Sequence, residues 1–464
     1  VLDGKDGRVL LPNLEILFIS ENKFETIPKS LQDLPKLRIL AMKHNSLSGE
    51  LSSSSLPSHS LEWLILTGNR IQKVSRDIGR LSHLRKLMLS HNQISNLPDE
   101  ISQLTSLEMI RIANNRLSSV PSSLALLPKL AWIAMANNAF SSQVTRQNSG
   151  RGQDAKLPRI ARDMVRLEGE VGGGSGGSTH RATYLGETVG VKEWNDRGKF
   201  SDGSPLNEIR SHEALRHPNI AGAIGVMAPP HRALVLLWLE NAVSLGEPPS
   251  FDSVVRDTPP SFNANRAPSS YGEGRVLEAA CALADALRYV HSVGIAHGDI
   301  YLHNVIEADK HHHRSQRSLG GVERTVYLSD FGAAFSYDPR AHPWIEHVEV
   351  VAFGFLLLDL SDFGVRLGLL GPHSSSRRAL EKIGNLCVRS REEDVASRRA
   401  LAQEGGGASS PKRSVDGGNG HQLDQGRVAA APFDHSFASS ARAFEDVARL
   451  LRAEANAQRK ESDK

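Results

Sequence analysis

Gly172, Gly174 and Gly177 form a G-x-G-x-x-G run, and a chain without side chains at those points can bring its backbone close to a phosphate. The segment VGVK follows and ends in Lys192. Strand alternation points this ammonium to the face opposite Val189 and Val191. Alone, the glycine triplet is weak evidence and reads better as a Gly/Ser-rich flexible linker. Further chemistry-bearing stretches come next: NEIRSHEALRHPNI with Glu208, ALRYVHSVGIAHGDIYLHNVI with Asp299 and Asn304, and VYLSDFGAA with Asp330. Carboxylate and carboxamide oxygens of this kind suit a hard divalent cation.

The order of these five elements, from about residue 166 to 452, resembles the protein kinase family. The resemblance implies that the three glycines cover ATP and that Lys192 meets its α and β phosphates, held in direction by Glu208. It implies that Asp299 orients an acceptor hydroxyl and takes its proton, and that Asn304 and Asp330 hold magnesium. His297 then braces the catalytic loop through hydrogen bonds, and Phe331 packs against the moving lobe.

Local signals place these groups on elements. Ser204 and Pro205 make an N-cap and first helical position, so Glu208 lies on the opening turns of a helix running to about Leu215. Val276, Leu277, Ala280, Cys281, Leu283, Ala284, Leu287 and Val290 follow helical spacing, which makes Cys281 a core residue.

Three departures from the family pattern stand out. Gly298 replaces the Arg of H-R-D, which argues against a switch built on a phosphorylated activation loop. Tyr301 stands two residues after Asp299, where Ser/Thr kinases place a Lys that neutralises the transferred phosphoryl group. His303 and Lys199 are the candidates to replace that cation. Between Asp330 and Glu349 no A-P-E appears, so an extended-peptide platform is in doubt, and Arg442, the counterpart of the Arg that pairs with that Glu, is left for another acid.

Residues 11 to 138 repeat one pattern six times, from LEILFISEN to LAWIAMANN, with closing Asn residues at 22, 45, 69, 92, 115 and 138. The motif L-x-x-L-x-L-x-x-N at a period of about 23 residues is the leucine-rich-repeat signature. Each unit forms a short strand that can bury its apolar face only against its neighbours. Strand alternation turns Ile16, Phe18, Trp63, Met109, Arg111 and Trp132 outward on the concave side. An apolar column with Trp63, Met109 and Trp132 is either a site for a protein partner or a face that packs on the flanking domain.

The expected architecture is an α/β leucine-rich-repeat solenoid followed by an α+β two-lobed protein kinase-like domain. Its divisions are repeats over 1–140, a linker over 141–164, and a kinase-like domain over 165–458, with insertions near 309–323 and 390–438. Three successive His at 311–313 in the first insertion read as a solvated loop. Ser410 and Ser414, beside Pro-Lys-Arg in the second, are possible modification points.

A net charge of +3 excludes a dedicated nucleic-acid binder. Two cysteines cannot build a disulfide framework, so a reducing, cytoplasmic setting is expected. The apolar run from Val350 is too short to cross a bilayer. Val1 and a repeat that begins almost at once mark the chain as a fragment, so the missing signal peptide decides nothing. The combination resembles a leucine-rich-repeat protein kinase, with HGD and DFGAA pointing to a soluble, bacterial-type subgroup. It implies an ATP- and magnesium-dependent, Ser/Thr-directed enzyme whose repeats recruit protein substrates. A nucleotide-binding pseudokinase scaffold and a kinase of small molecules are the rivals.

Overall fold

The computed structural model describes residues 11–141, 156–174, 177–194, 203–227, 233–251, 253–259, 273–310, 323–404 and 443–462. The triple His, Lys199, Ser410, Ser414 and Arg442 lie outside them.

The repeats form one parallel sheet in sequence order, β1 (Ile16–Phe18), β2 (Ile39–Ala41), β3 (Trp63–Ile65), β4 (Lys86–Met88), β5 (Met109–Arg111) and β6 (Trp132–Ala134). Single 3-10 turns return the chain on the opposite side, and Pro28, Pro98 and Pro121 stand immediately before three of them. Proline suits that position because it fixes φ and has no N–H to leave unpaired. Leu40, Leu64, Leu87, Ile110 and Ile133 are buried between the two layers. The closing asparagines knit the turns together. Asn69 accepts from the Leu47 N–H and donates to the Met42 and Leu66 carbonyls, a set that recurs at Asn92, Asn115 and Asn138.

The second half has two lobes. The first is a six-stranded sheet of β7 (Arg159–Ile160), β8 (Val165–Gly174), β9 (Gly177–Tyr184), β10 (Glu187–Trp194), β11 (Ala223–Met227) and β12 (Ala233–Leu237), ordered β8-β9-β10-β12-β11-β7, with helix α1 (Pro205–Ala214). The sheet therefore takes in residues 159–160, which lie in the stretch read as linker. The second lobe is mainly helical: α2 (Glu273–Ser292), α3 (Trp344–Arg366), α4 (Ser375–Glu404) and α5 (Ala443–Ser462). It also carries the small strands β13 (Val243–Ser244), β14 (Ile295–Ala296), β15 (Val305–Asp309), β16 (Arg324–Leu328) and β17 (Phe335–Ser336). The first part of the stretch read as an insertion from residue 390 is helical. Helix α4 continues to Glu404, and Arg391 and Asp394 on it are buried.

From the second repeat onward, the concave face of the repeats packs on the chain's own second lobe. Ile39, Trp63, Ile65, Met88, Met109 and Trp132 belong to one buried apolar cluster with Val254, Tyr301 and Phe353. This decides between the two readings of the column: Trp63, Met109 and Trp132 pack on the flanking domain and are not open to an outside partner. A second junction lies beyond the last repeat, where Leu127 and Phe140 share a cluster with Trp344, Ile345 and Val348. Arg391 seals it by donating to the carbonyls of Leu124, Ala125 and Leu127 at 3.1–3.2 Å.

Candidate active site

Strands β8 and β9 form a hairpin in which Gly174 pairs with Gly177. A Cβ on Gly177 would lie 2.1 Å from the Glu193 carbonyl oxygen of β10, so the close approach of the two strands requires glycine there. Lys192 stands in the middle of the sheet opposite Thr179 and Leu234. Val189 and Val191 are buried on the other face, and the ammonium is directed at α1.

Helix α1 begins as its residues demand. The Ser204 hydroxyl accepts from the Asn207 N–H, and Pro205 occupies the first turn. The cap sets the phase that brings Glu208 under the sheet, where its Oε1 accepts from Lys192 Nζ at 2.7 Å. Trp194 Nε1 donates to the other oxygen at 3.1 Å, which fixes the carboxylate plane. Lys192 also reaches Asp330 Oδ1 at 3.1 Å. Burial opposes its charge, yet the two carboxylates hold the ammonium protonated well above the ordinary lysine range. The same charge outweighs burial at Asp330 and keeps that carboxyl below its usual value.

Asp330 has a left-handed backbone, φ 54°, and accepts from the Gly332 N–H. Its side chain remains half exposed, 51%, on the cleft side. Phe331 turns the opposite way and is fully buried against His212 of α1 and His297. Burial, with the positive charges of Lys192 and Arg216, pushes His212 down to about 3, so it packs as a neutral ring.

The loop between β14 and β15 carries Asp299 and Asn304. His297 donates through Nε2 to the Ser329 carbonyl at 3.0 Å and accepts at Nδ1 from the Asp299 N–H at 3.2 Å. The ring thus braces two segments of the site. Glu349 of α3 accepts from the His297 and Gly298 N–H groups and meets His291, so a buried carboxylate holds the loop from below. In the sequence Glu349 only bounds the segment that lacks A-P-E; its position before the run VVAFG was the available signal. Asn304 Nδ2 donates to the Asp299 carbonyl at 2.8 Å and to Oδ2 at 3.0 Å. The Asn304 carbonyl in turn accepts from Ser329, immediately before Asp330. Lys192, Glu208 and Asp330 form one ion-paired group, and Asp299 and Asn304 a second joined to it through Ser329. Gly172, Gly174 and Gly177 lie on the hairpin adjoining β10.

Three residues of the repeats enter this region. Arg111 Nη2 meets Asp299 Oδ1 at 2.8 Å. Trp132 Nε1 donates to the Ile300 carbonyl at 3.1 Å, and its ring stacks on Tyr301 with centroids 4.7 Å apart. Asn114 donates to the Gly203 carbonyl just before α1. Sequence reasoning placed Arg111 and Trp132 on the outward face but could not see what they faced. Of the two candidates to replace the missing lysine, His303 is engaged elsewhere: its Nδ1 and backbone N–H both meet Asp257.

A model of the leucine-rich repeat matches residues 9–47, 59–117 and 82–140, and the protein kinase domain model matches residues 165–352. A probable serine/threonine-protein kinase of Dictyostelium discoideum is 28% identical over 190 residues, 41% of this chain and 12% of that protein. The serine/threonine-protein kinase CTR1 of Arabidopsis thaliana is 26% identical over 233 residues, 48% of this chain and 26% of that protein. The chain thus spans about a quarter or less of the length of these relatives. A leucine-rich-repeat protein of Leptospira interrogans aligns at 28% identity over 28% of this chain and 32% of its own, with a TM-score of 0.26. The chain carries a leucine-rich-repeat region followed by a protein kinase domain, with serine/threonine kinases among its relatives.

Proposed function

We propose that the chain is an ATP- and magnesium-dependent protein kinase that transfers phosphate to Ser or Thr hydroxyls. The observation that carries this reading is the pair of joined groups: Lys192 on Glu208 and Asp330, and Asp299 held by Asn304. In it, Lys192 neutralises the α and β phosphates beneath the Gly172–Gly177 hairpin, and Glu208 keeps the ammonium aimed. Asp299 accepts the proton of the acceptor hydroxyl while that oxygen bonds to the γ-phosphorus. The bond to the β,γ-bridging oxygen breaks, and its electron pair leaves with ADP.

Asp330, half exposed, and the Asn304 carboxamide oxygen, whose amide nitrogen is committed to Asp299, make a hard-oxygen pair suited to magnesium. Bound there, the ion would supply charge neutralisation at the triphosphate. Among the described residues no cluster of three or more His, Cys, Asp or Glu gathers as a metal cage, and a phosphate-bridging ion does not need one. In this reading the HGD and DFGAA variants mark a bacterial-type subgroup, and the free thiols Cys281 and Cys387 suit a reducing cytoplasm. No helix among the described residues is long and apolar enough to cross a membrane.

The test is transfer of labelled phosphate from ATP by the purified chain, with Asp299→Asn alongside. The variant should lose about a hundredfold or more, as loss of a general base does. Equal background in both would leave a scaffold, and a magnesium-dependent thermal shift with ATP would then show whether it still binds nucleotide. A second reading, transfer to a small hydroxyl compound, is favoured by the repeats lying against the catalytic loop. Label in acid-soluble product, with none in protein, would identify it.

A further inference from the structure

The two carboxylates of the proposed site differ in access. Asp330, on the nucleotide side, keeps 51% of its side-chain surface exposed, whereas Asp299, on the acceptor side, keeps 19%. The repeats lie against the more sheltered one. Strand register aligns Phe18, Ala41, Ile65, Met88, Arg111 and Ala134 in one row across the concave face. Five of the six are apolar, and the one charge meets Asp299 Oδ1 at 2.8 Å. On the next strand Trp132 donates to the Ile300 carbonyl and lies flat on Tyr301. Three consecutive residues of the catalytic loop, 299–301, are thus held by two adjacent repeat strands, β5 and β6. Asn114, just past β5, donates to the Gly203 carbonyl before α1 at 2.9 Å and is itself held by Asn137. One strand and its turn therefore grip the chain on both sides of the cleft.

We propose that the repeat arch is an intramolecular cover that holds the kinase off: Arg111 sits where an acceptor hydroxyl must come to Asp299, and transfer to a protein requires the arch to leave the loop. This rests on the kinase reading above. A general base must lie within about 2.6–3.2 Å of the group whose proton it takes. The guanidinium already stands at that distance from Oδ1, and the Asn304 amide stands at 3.0 Å from Oδ2. A hydroxyl carried on a polypeptide must in addition pass Trp132, which lies over the two residues that follow Asp299.

The sequence leaves this task to the arch. Gly298 removes the Arg that would read a phosphorylated activation loop, and the stretch from Asp330 to Glu349 lacks A-P-E. The covered arrangement is also firmly seated. Trp132 and Met109 are buried in a core continuous with the second lobe, and Arg391 is buried under the last turns of the repeats. Where the competent form is the minor one, the observed rate scales with its population. Removing the Arg111 charge frees Asp299 with the apolar junction in place, and removing the Trp132 ring loosens the junction itself.

The experiment compares full-length wild type, Arg111→Ala, Arg111→Lys and Trp132→Ala for transfer of labelled phosphate from ATP to casein. Arg111→Ala should raise kcat by about tenfold or more while KM for ATP changes little, because the open form gains population and the nucleotide side is untouched. Trp132→Ala should raise it as well. Arg111→Lys keeps a cation at the carboxylate and should stay near wild type. Adding Asp299→Asn to Arg111→Ala should abolish the gain, which shows that the gain passes through that carboxylate. The magnesium-dependent thermal shift with ATP, measured alongside, shows that each variant keeps its nucleotide site.

Transfer by wild type that Arg111→Ala and Trp132→Ala leave unchanged or lower overturns the cover and spares the kinase reading. A gain that survives Asp299→Asn overturns the cover too. A silent wild type beside active Arg111→Ala and Trp132→Ala supports both, and silence in all of them removes the kinase reading and the cover with it.

Discussion

At Gly298 the backbone has φ +81°, and a Cβ built there would meet the Ala333 carbonyl oxygen at 2.7 Å. The family pattern has an Arg at this point, so restoring it tests whether the loop has been rebuilt around glycine. Gly298→Arg should lower the unfolding free energy by about 2 kcal/mol, from left-handed strain with the contact added, as read by urea denaturation. A variant as stable as the parent would show that the loop can rearrange. This part of the chemistry was open to sequence reading because its residues are neighbours: the departure at 298, the brace at His297 and the acid at 299 share one short stretch. Arg111 was hidden for the opposite reason. Its outward direction follows from alternation, but the group it meets lies 188 residues away.

Helix α1 was legible because its start is written locally in Ser204 and Pro205, and the cap then fixes which face carries Glu208. Helix α4 beyond residue 390 was not. The glycines at 405–407 and the charges before them read as one polar stretch, whereas Arg391 and Asp394, three apart, share a helix face that is buried. For α1 a pH dependence follows. His212 is buried and neutral, pushed down to about 3 by burial and by Lys192 and Arg216, with Asp330 pulling the other way. Between that value and the ordinary histidine range the unfolded chain binds the extra proton, so stability rises with pH across this window and falls on acidification. The loss attributable to His212 should be roughly 1 kcal/mol for each pH unit below about 6.5. Denaturation of wild type and His212→Gln at pH 7 and 5.5 checks it. The variant should lose less stability between the two, and parallel losses would mean that the ring protonates inside the fold.

At the scale of the molecule, the two halves share their cores, and the length of chain between them says little about how they unfold. Trp132 points away from the leucine interior of the repeats, stacks on Tyr301 and Phe355, and is 2% exposed. Removing its ring leaves the repeat stack intact and empties the middle of the junction. Trp132→Ala should therefore cost about 3–5 kcal/mol, nearly all of it in coupling between the halves. Calorimetry of the full chain should show wild type melting in one cooperative transition and Trp132→Ala in two, with the repeat transition reappearing on its own. Arg391→Ala acts on the second junction, removing the guanidinium donor from the Leu124, Ala125 and Leu127 carbonyls, and should broaden the single transition without dividing it. Wild type that already melts in two well-separated steps would mean that the shared cluster contributes little coupling. The arch would then be a loosely held neighbour of the catalytic loop, too mobile to keep Arg111 within hydrogen-bond distance of Asp299.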